Sequence, residues 1–218
     1  MSSILEGNEM RLLNNAIWHL RNKGYRKSVK DLVKNRNCTI VSSNCIGGVV
    51  YNTYSMQFLS PTINLSMNYS DFIKLCENTR HYFESELKPY TGDLQKSYPL
   101  ADLDGLTLHL VHYSTFEEAK EFWDRRVQRV NYDNMFFVCT NQEGFNEELS
   151  ARFDALPQPK VLFVNQPDDN PNHFYIKGFE DRAAVGDITA HSDQRSGHRI
   201  LEAFDWVSFL DHKLVKKE

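Results

Sequence analysis

The stretch Cys38-Thr-Ile-Val-Ser-Ser-Asn-Cys-Ile-Gly-Gly48 decides the reading of the fold. Its first residues, Cys38–Ser42, are apolar and β-branched and predict a short strand. The small polar residues after them predict a tight turn. Two glycines then lead into a helical stretch over about Gly48–Thr53. Downstream the same strand-then-helix order recurs. Met135–Cys139 and Lys160–Asn165 are short apolar runs that read as buried strands, with a helix over about Glu143–Leu156 between them. His173–Lys177 is a further β-like run. Alternation of this kind predicts an α/β protein, a three-layer α/β/α sandwich with a mostly parallel sheet.

The remaining elements fit around that core. A helical pattern over about Asn8–Lys23 places Leu12, Leu13, Ala16, Ile17 and Leu20 on one face, with Gly24 as its end. A short second helix is expected to carry Val29, Leu32 and Val33, and Thr62–Leu65 reads as a short strand. Ser70 is expected to cap a helix whose apolar face runs through Phe72, Ile73, Cys76 and Phe83. Asp104-Gly105 between Ser97–Leu103 and Leu106–Tyr113 is a hairpin signal, which predicts a mixed sheet. Thr115-Phe-Glu-Glu118 is a capping box, and a last helix spans about Gly197–Leu214. With no repeat and no long linker, residues 1–218 read as a single α/β domain carrying a basic helical extension, 1–36.

Composition narrows the function classes. At 41% hydrophobic and 12% aromatic the chain has ample material for a core, so disorder is excluded over most of its length. No uncharged apolar run is long enough to span a bilayer, and MSSILEGNEM lacks the pattern of a secretory signal. The four cysteines form no C-x-x-C pair and no zinc-ligand spacing, which suits free thiols in the cytoplasm and offers no metal site. Between Arg21 and Arg36 seven basic residues face one acid, a local charge of +6 that leaves −10 elsewhere in a chain of net −4. That block reads either as a solvated helix face or as a weak peripheral contact with an anionic membrane. The acidic remainder and the lack of a nucleic-acid module exclude DNA and RNA as partners.

Chemistry concentrates in the Ser42–Gly48 turn. A loop beyond the carboxyl end of a strand is where open α/β sheets bind ligands. Gly47 and Gly48 can turn backbone N–H groups inward as donors to an oxyanion or phosphate, beside Ser42, Ser43 and Asn44. Cys45, next to a helix amino terminus, is the candidate nucleophile. His112, where a strand hands over to a helix, is its candidate base if that strand runs parallel to Cys38–Ser42. The alternative is a tight turn with a buried thiol and a packing histidine. Asp133, in the polar Asn131–Asn134 segment, joins the ligand-binding candidates. Asp102 and Asp104 invite a metal–diphosphate reading, although hairpin chemistry explains them more simply. Asp168-Asp169-Asn170-Pro171 reads as a solvent loop before a metal site, and Arg125, Arg126 and Arg129 as possible phosphate contacts.

An ordered set of motifs adds a resemblance. Ser42-Ser-Asn-Cys-Ile-Gly-Gly48, Ser60-Pro-Thr62, Asp71-Phe-Ile73, Tyr98-Pro99 and His112-Tyr113 belong to it. So do Glu117-Glu-Ala119 with Trp123 and Arg126, Arg129-Val-Asn131, Asp133-Asn134, Phe174–Phe179 and Ser196-Gly197. Over about Asn37 to Leu210 the chain resembles an uncharacterised bacterial family, a domain of unknown function whose members commonly carry the description exopolysaccharide biosynthesis protein. The resemblance implies a cytoplasmic α/β protein tied to surface polysaccharide, with no established reaction, and leaves the basic extension outside the family. The leading expectation is an acyl transferase acting on a sugar or lipid-linked glycan through Cys45 and His112. A nucleotide-sugar or phosphoglycosyl enzyme using Asp102 and Asp104, and a non-catalytic module of the polysaccharide machinery, stand as alternatives. Cofactor and oligomeric state stay open.

Overall fold

The computed structural model describes residues 20–142, 144–192 and 198–215. Its centre is a four-stranded sheet of β1 (Thr39–Ser42), β5 (Met135–Thr140), β6 (Lys160–Val164) and β7 (His173–Tyr175), ordered β1-β5-β6-β7. All three pairings in it are parallel. The inner strands are almost entirely apolar, apart from Lys160 at the start of β6 and Thr140 at the end of β5, because both faces of the sheet are covered. Val41, Phe137, Cys139 and Leu162 enter one core, and Ile40, Phe136, Val138 and Phe163 enter the other. Strand alternation, hidden in sequence by the continuous apolar runs, therefore sorts the two layers.

On the second face lie α1 (Ile46–Thr53), Val29 and Val33 from the basic segment, and α6 (Trp206–Val215). On the first lie α2 (Tyr69–Glu77), α3 (Thr79–Glu84), α4 (Phe116–Val127) and α5 (Glu147–Asp154). This is the expected α/β class with a layer on each side of the sheet. The expected cap forms at Thr115, whose Oγ accepts from the Glu118 N–H at 3.1 Å, while Glu118 reaches back one residue past the cap and accepts from the Ser114 N–H at 3.1 Å.

Several local expectations are corrected. The Asp104-Gly105 hairpin forms, with both residues at positive φ (50° and 85°), but it joins β3 (Leu100–Leu103) to β4 (Leu106–His109) in a separate antiparallel sheet with β2 (Lys88–Pro89). Antiparallel pairing thus lies outside the main sheet. Residues 61–64 form turns rather than a strand, with Asn64 at φ 66°. Helix α2 is capped by Asn68, not Ser70, and Asn78 splits the expected single helix into α2 and α3. Residues 20–29 are helical, so Gly24 lies inside a helix instead of ending one; Leu32 is exposed while Val29 and Val33 are buried. The last expected helix is divided into a 3-10 turn, Ile200–Ala203, and α6. The face from Leu12 to Ile17 and the Ser196-Gly197 motif lie outside the described residues.

Candidate functional site

Helix α1 follows β1 through the turn Ser43-Asn44-Cys45, with Cys45 as the residue before its first turn. Asn44 folds this turn: its Oδ1 accepts from the Ile46 N–H at 3.1 Å and its Nδ2 donates to Thr140 Oγ at the end of β5, at 3.3 Å. Cys45 is thereby held half-buried at the carboxyl edge of the parallel sheet. His112 arrives there by another route. The Met67 N–H donates to the Ser43 carbonyl at 3.0 Å, and Ser66 bridges His109 through reciprocal backbone bonds of 2.8 Å. Segment 65–67 so ties the end of β4 to the end of β1. The Tyr113 hydroxyl, donating to the Ile63 carbonyl at 3.1 Å, anchors the next residue.

The result is a contact of 3.1 Å between His112 Nε2 and Cys45 Sγ. The two residues meet although β4 does not run parallel to β1. Both line a cleft of roughly 400 Å³ with Asn44, Ile46, Thr140, Gln142 and a loop from Val185 to Thr189. Buried asparagines at the ends of β5 and β6 hold that loop. Asn141 accepts from the Val185 N–H at 2.9 Å and donates to Asn165 at 2.6 Å, and Asn165 donates to the Arg182 carbonyl at 2.6 Å. Burial raises the Cys45 thiol above its ordinary range, and the Asp187 carboxylate on the loop raises it further. The resting sulfur is therefore a thiol that needs a base, and His112 is in reach to be that base. The Cys45 N–H has no hydrogen-bond partner among the described residues and opens α1, where the helix dipole favours negative charge. The Thr140 hydroxyl, accepting from Asn44, keeps its own proton to donate.

The other expected residues divide. Gly47 and Gly48 do not line the cleft. The Gly47 N–H already donates to Ser42 Oγ at 3.1 Å, and Ser42 Oγ donates to the Asn44 carbonyl at 2.7 Å. A Cβ on Gly47 would fall 2.7 Å from Ser42 Oγ, and one on Gly48 3.3 Å from Ile63. Gly47 lets α1 lie close to β1, and Gly48 lets it lie close to the turn at 61–64; they are packing residues, not oxyanion donors. Ser42 and Ser43 are buried beneath the turn, with Ser43 Oγ lacking a hydrogen-bond partner among the described residues. Asp133 precedes β5 and so stands at the opposite end of the parallel strands from Cys45. Its neighbours Asn131 and Asn134 donate to the Asn37 carbonyl and stitch the strand entries together.

Asp104 pairs with His81 of α3 at 2.6 Å and Asp102 accepts from the Gly105 N–H of the hairpin turn at 3.4 Å, so structural contacts occupy both. Asp168 pairs with His173 at 2.6 Å. Among the described residues no group of three or more His, Cys, Asp or Glu side chains is placed to hold a metal. Arg126 is buried, donating to the Ile63 carbonyl and the Tyr113 hydroxyl, and serves packing instead of phosphate. Sequence reasoning missed Thr140, Gln142 and the loop bearing Asp187. The available signal was a polar residue at the carboxyl end of each buried run, Asn141 and Asn165, where α/β sheets build their sites.

Fold and site together define an α/β protein with a Cys–His pair in a cleft above the carboxyl ends of a parallel sheet. Residues 17–211 match the profile of a domain of unknown function, DUF1919, and the chain belongs to that family. A protein of Haemophilus influenzae strain Rd that bears the name "Uncharacterized protein" is 32% identical over 188 residues, 85% of this chain and 90% of its own length. Because the match starts at residue 17, the basic segment Arg21–Arg36 is part of the family domain, not an addition to it. Within that segment Lys23, Arg26, Lys27 and Lys30 line one groove of roughly 600 Å³ with Ser55, whereas the Lys34 ammonium turns back to the Asp31 carbonyl at 2.7 Å. Among the described residues no helix is long and apolar enough to cross a membrane.

Proposed function

We propose that this protein is a cysteine-dependent acyl transferase acting on a sugar or lipid-linked glycan. The observation that carries the reading is the 3.1 Å contact of Cys45 Sγ with His112 Nε2 inside this cleft. Cys45 Sγ attacks the acyl carbonyl while His112 Nε2 takes the thiol proton. The Cys45 N–H and the Thr140 hydroxyl are the donors nearest the developing oxyanion, in place of the Gly47 and Gly48 amides. A glycan acceptor is supported by the resemblance to a family described by exopolysaccharide biosynthesis. The groove with Lys23, Arg26, Lys27 and Lys30 supports a weak attraction to the anionic membrane face on which lipid-linked glycans are built.

The test is covalent labelling by an uncharged acetyl thioester, read as an acetyl adduct in the intact-protein mass. Cys45→Ala should abolish the adduct, and His112→Ala should slow its formation by roughly 10²–10⁴-fold, the usual contribution of a general base. Equal labelling of the wild-type and Cys45→Ala proteins removes the reading.

A further inference from the structure

The cleft's charge distribution says which acceptor it takes, an inference that rests on the acyl-transfer reading. Among the described residues lining the cleft there is no lysine or arginine, and Asp187 is the one carboxylate. Asp187 is exposed, and its Oδ1 accepts from the Thr189 N–H at 2.9 Å and from the Thr189 hydroxyl. The other oxygen, Oδ2, has no hydrogen-bond partner, and Asp187 forms no ion pair, among the described residues. Arg199 lies close enough to feel this charge but donates to the Thr189 carbonyl. A carboxylate in the same cleft as a nucleophilic sulfur opposes thiolate formation, so Asp187 works against the first half-reaction. A cationic group entering the cleft cancels that opposition and gains a charge-assisted hydrogen bond. Asn44, Thr140 and Thr189 around it are neutral hydrogen-bonding groups suited to hydroxyls.

We infer that the acyl acceptor is an amino sugar, oriented by its ammonium on Asp187, and that the product is an amide. In the first half-reaction the Cys45 Sγ–carbon bond forms and the donor's carbon–sulfur bond breaks. The thiol proton passes through His112 to the departing thiol. In the second, the bound ammonium first releases one proton to solvent. The free amine then attacks the thioester carbon, the carbon–nitrogen bond forms and the carbon–Sγ bond breaks. The second amine proton passes through His112 back to Cys45 Sγ.

Two measurements test this separately from the acyl-transferase reading. With the uncharged acetyl thioester as donor, acetyl-Cys45 should break down faster with glucosamine than with glucose or N-acetylglucosamine, and N-acetylglucosamine should accumulate from glucosamine. Asp187→Asn should raise the KM for glucosamine by ~10–100-fold, the range of one charge-assisted hydrogen bond, while acetylation of Cys45 becomes faster. A merely structural loss of the loop would slow both steps. Calorimetric titration of glucosamine into Cys45→Ala should show binding that Asp187→Asn in that background removes, with or without any acylation. Equal effects of glucosamine and glucose, or glucosamine binding unchanged by Asp187→Asn, overturn the inference. Glucosamine binding that depends on Asp187 without any acetyl-Cys45 would keep the amine site and remove the acyl-transferase reading instead.

Discussion

Replacing Gly47 by alanine separates a packing glycine from a ligand-binding one. The new Cβ would sit 2.7 Å from Ser42 Oγ, well inside contact distance. Ser42 cannot step aside cheaply, because it is fully buried and its Oγ both accepts from the Gly47 N–H and donates to the Asn44 carbonyl. Either those two bonds are lost, at about 1 kcal/mol each, or α1 lifts from β1, an overpacking cost of about 1–3 kcal/mol. Alanine returns up to ~1 kcal/mol through helix propensity, so the net loss should be about 1–2 kcal/mol. In a Ser42→Ala background the nearest atom becomes the Cβ of residue 42, at 3.4 Å, which is ordinary contact. The two substitutions should therefore couple by about 1–2 kcal/mol, the double variant being more stable than the sum of the singles. Gly48→Ala, whose Cβ meets Ile63 at 3.3 Å, should be close to neutral. Urea unfolding at unchanged m-value reads all four variants. A Gly47→Ala protein as stable as wild type, or a cycle without coupling, would refute the packing account.

Two further outcomes come from burial and charge. Burial pushes the Cys38 thiol up to about 12 and raises Cys76 and Cys139 well above the ordinary range. The folded chain thus keeps protons that the unfolded chain releases. The associated stability is full below about pH 8.5, the ordinary thiol value, and is lost as pH rises toward 12. Urea midpoints should fall across that window, and Cys38→Ala should flatten the slope; midpoints constant to pH 11 would contradict it. Anionic liposomes should retain the protein at low salt and release it at high salt. Charge reversal at Lys23, Lys27 and Lys30 should abolish retention, while reversal at Lys34 should matter less; equal retention by neutral vesicles would count against the basic groove.

Cys38–Ser42, Met135–Cys139 and Lys160–Asn165 disclosed the parallel sheet because a strand covered on both faces is mostly apolar on both faces, a pattern that survives in one dimension. The capping box at Thr115 and the turn at Asp104-Gly105 were equally legible, since each is a contact among residues a few positions apart. Where the hairpin went was not, because register and sheet membership depend on partners far along the chain. Gly47 and Gly48 were read as donors because a glycine pair permits both a nest and a close approach. Only the position of Ser42 Oγ, 2.7 Å from a missing Cβ, tells them apart.

The sequence by itself determined the α/β class, the turn that presents Cys45, and the residue types, thiol and imidazole, from which a nucleophile and its base are made. Tertiary structure decided that they meet. The bridge of Ser66 to His109 and the bond from Met67 to Ser43 bring two sheets together, and with them His112 to Cys45. It alone decided that Asp187 lines the same cleft as the thiol, because the loop that carries it is held by Asn141 and Asn165, residues that reach it only after β5 and β6 have paired. Asp133 was left at the far end of the same sheet for the converse reason: parallel strands send their entry and exit segments to opposite edges.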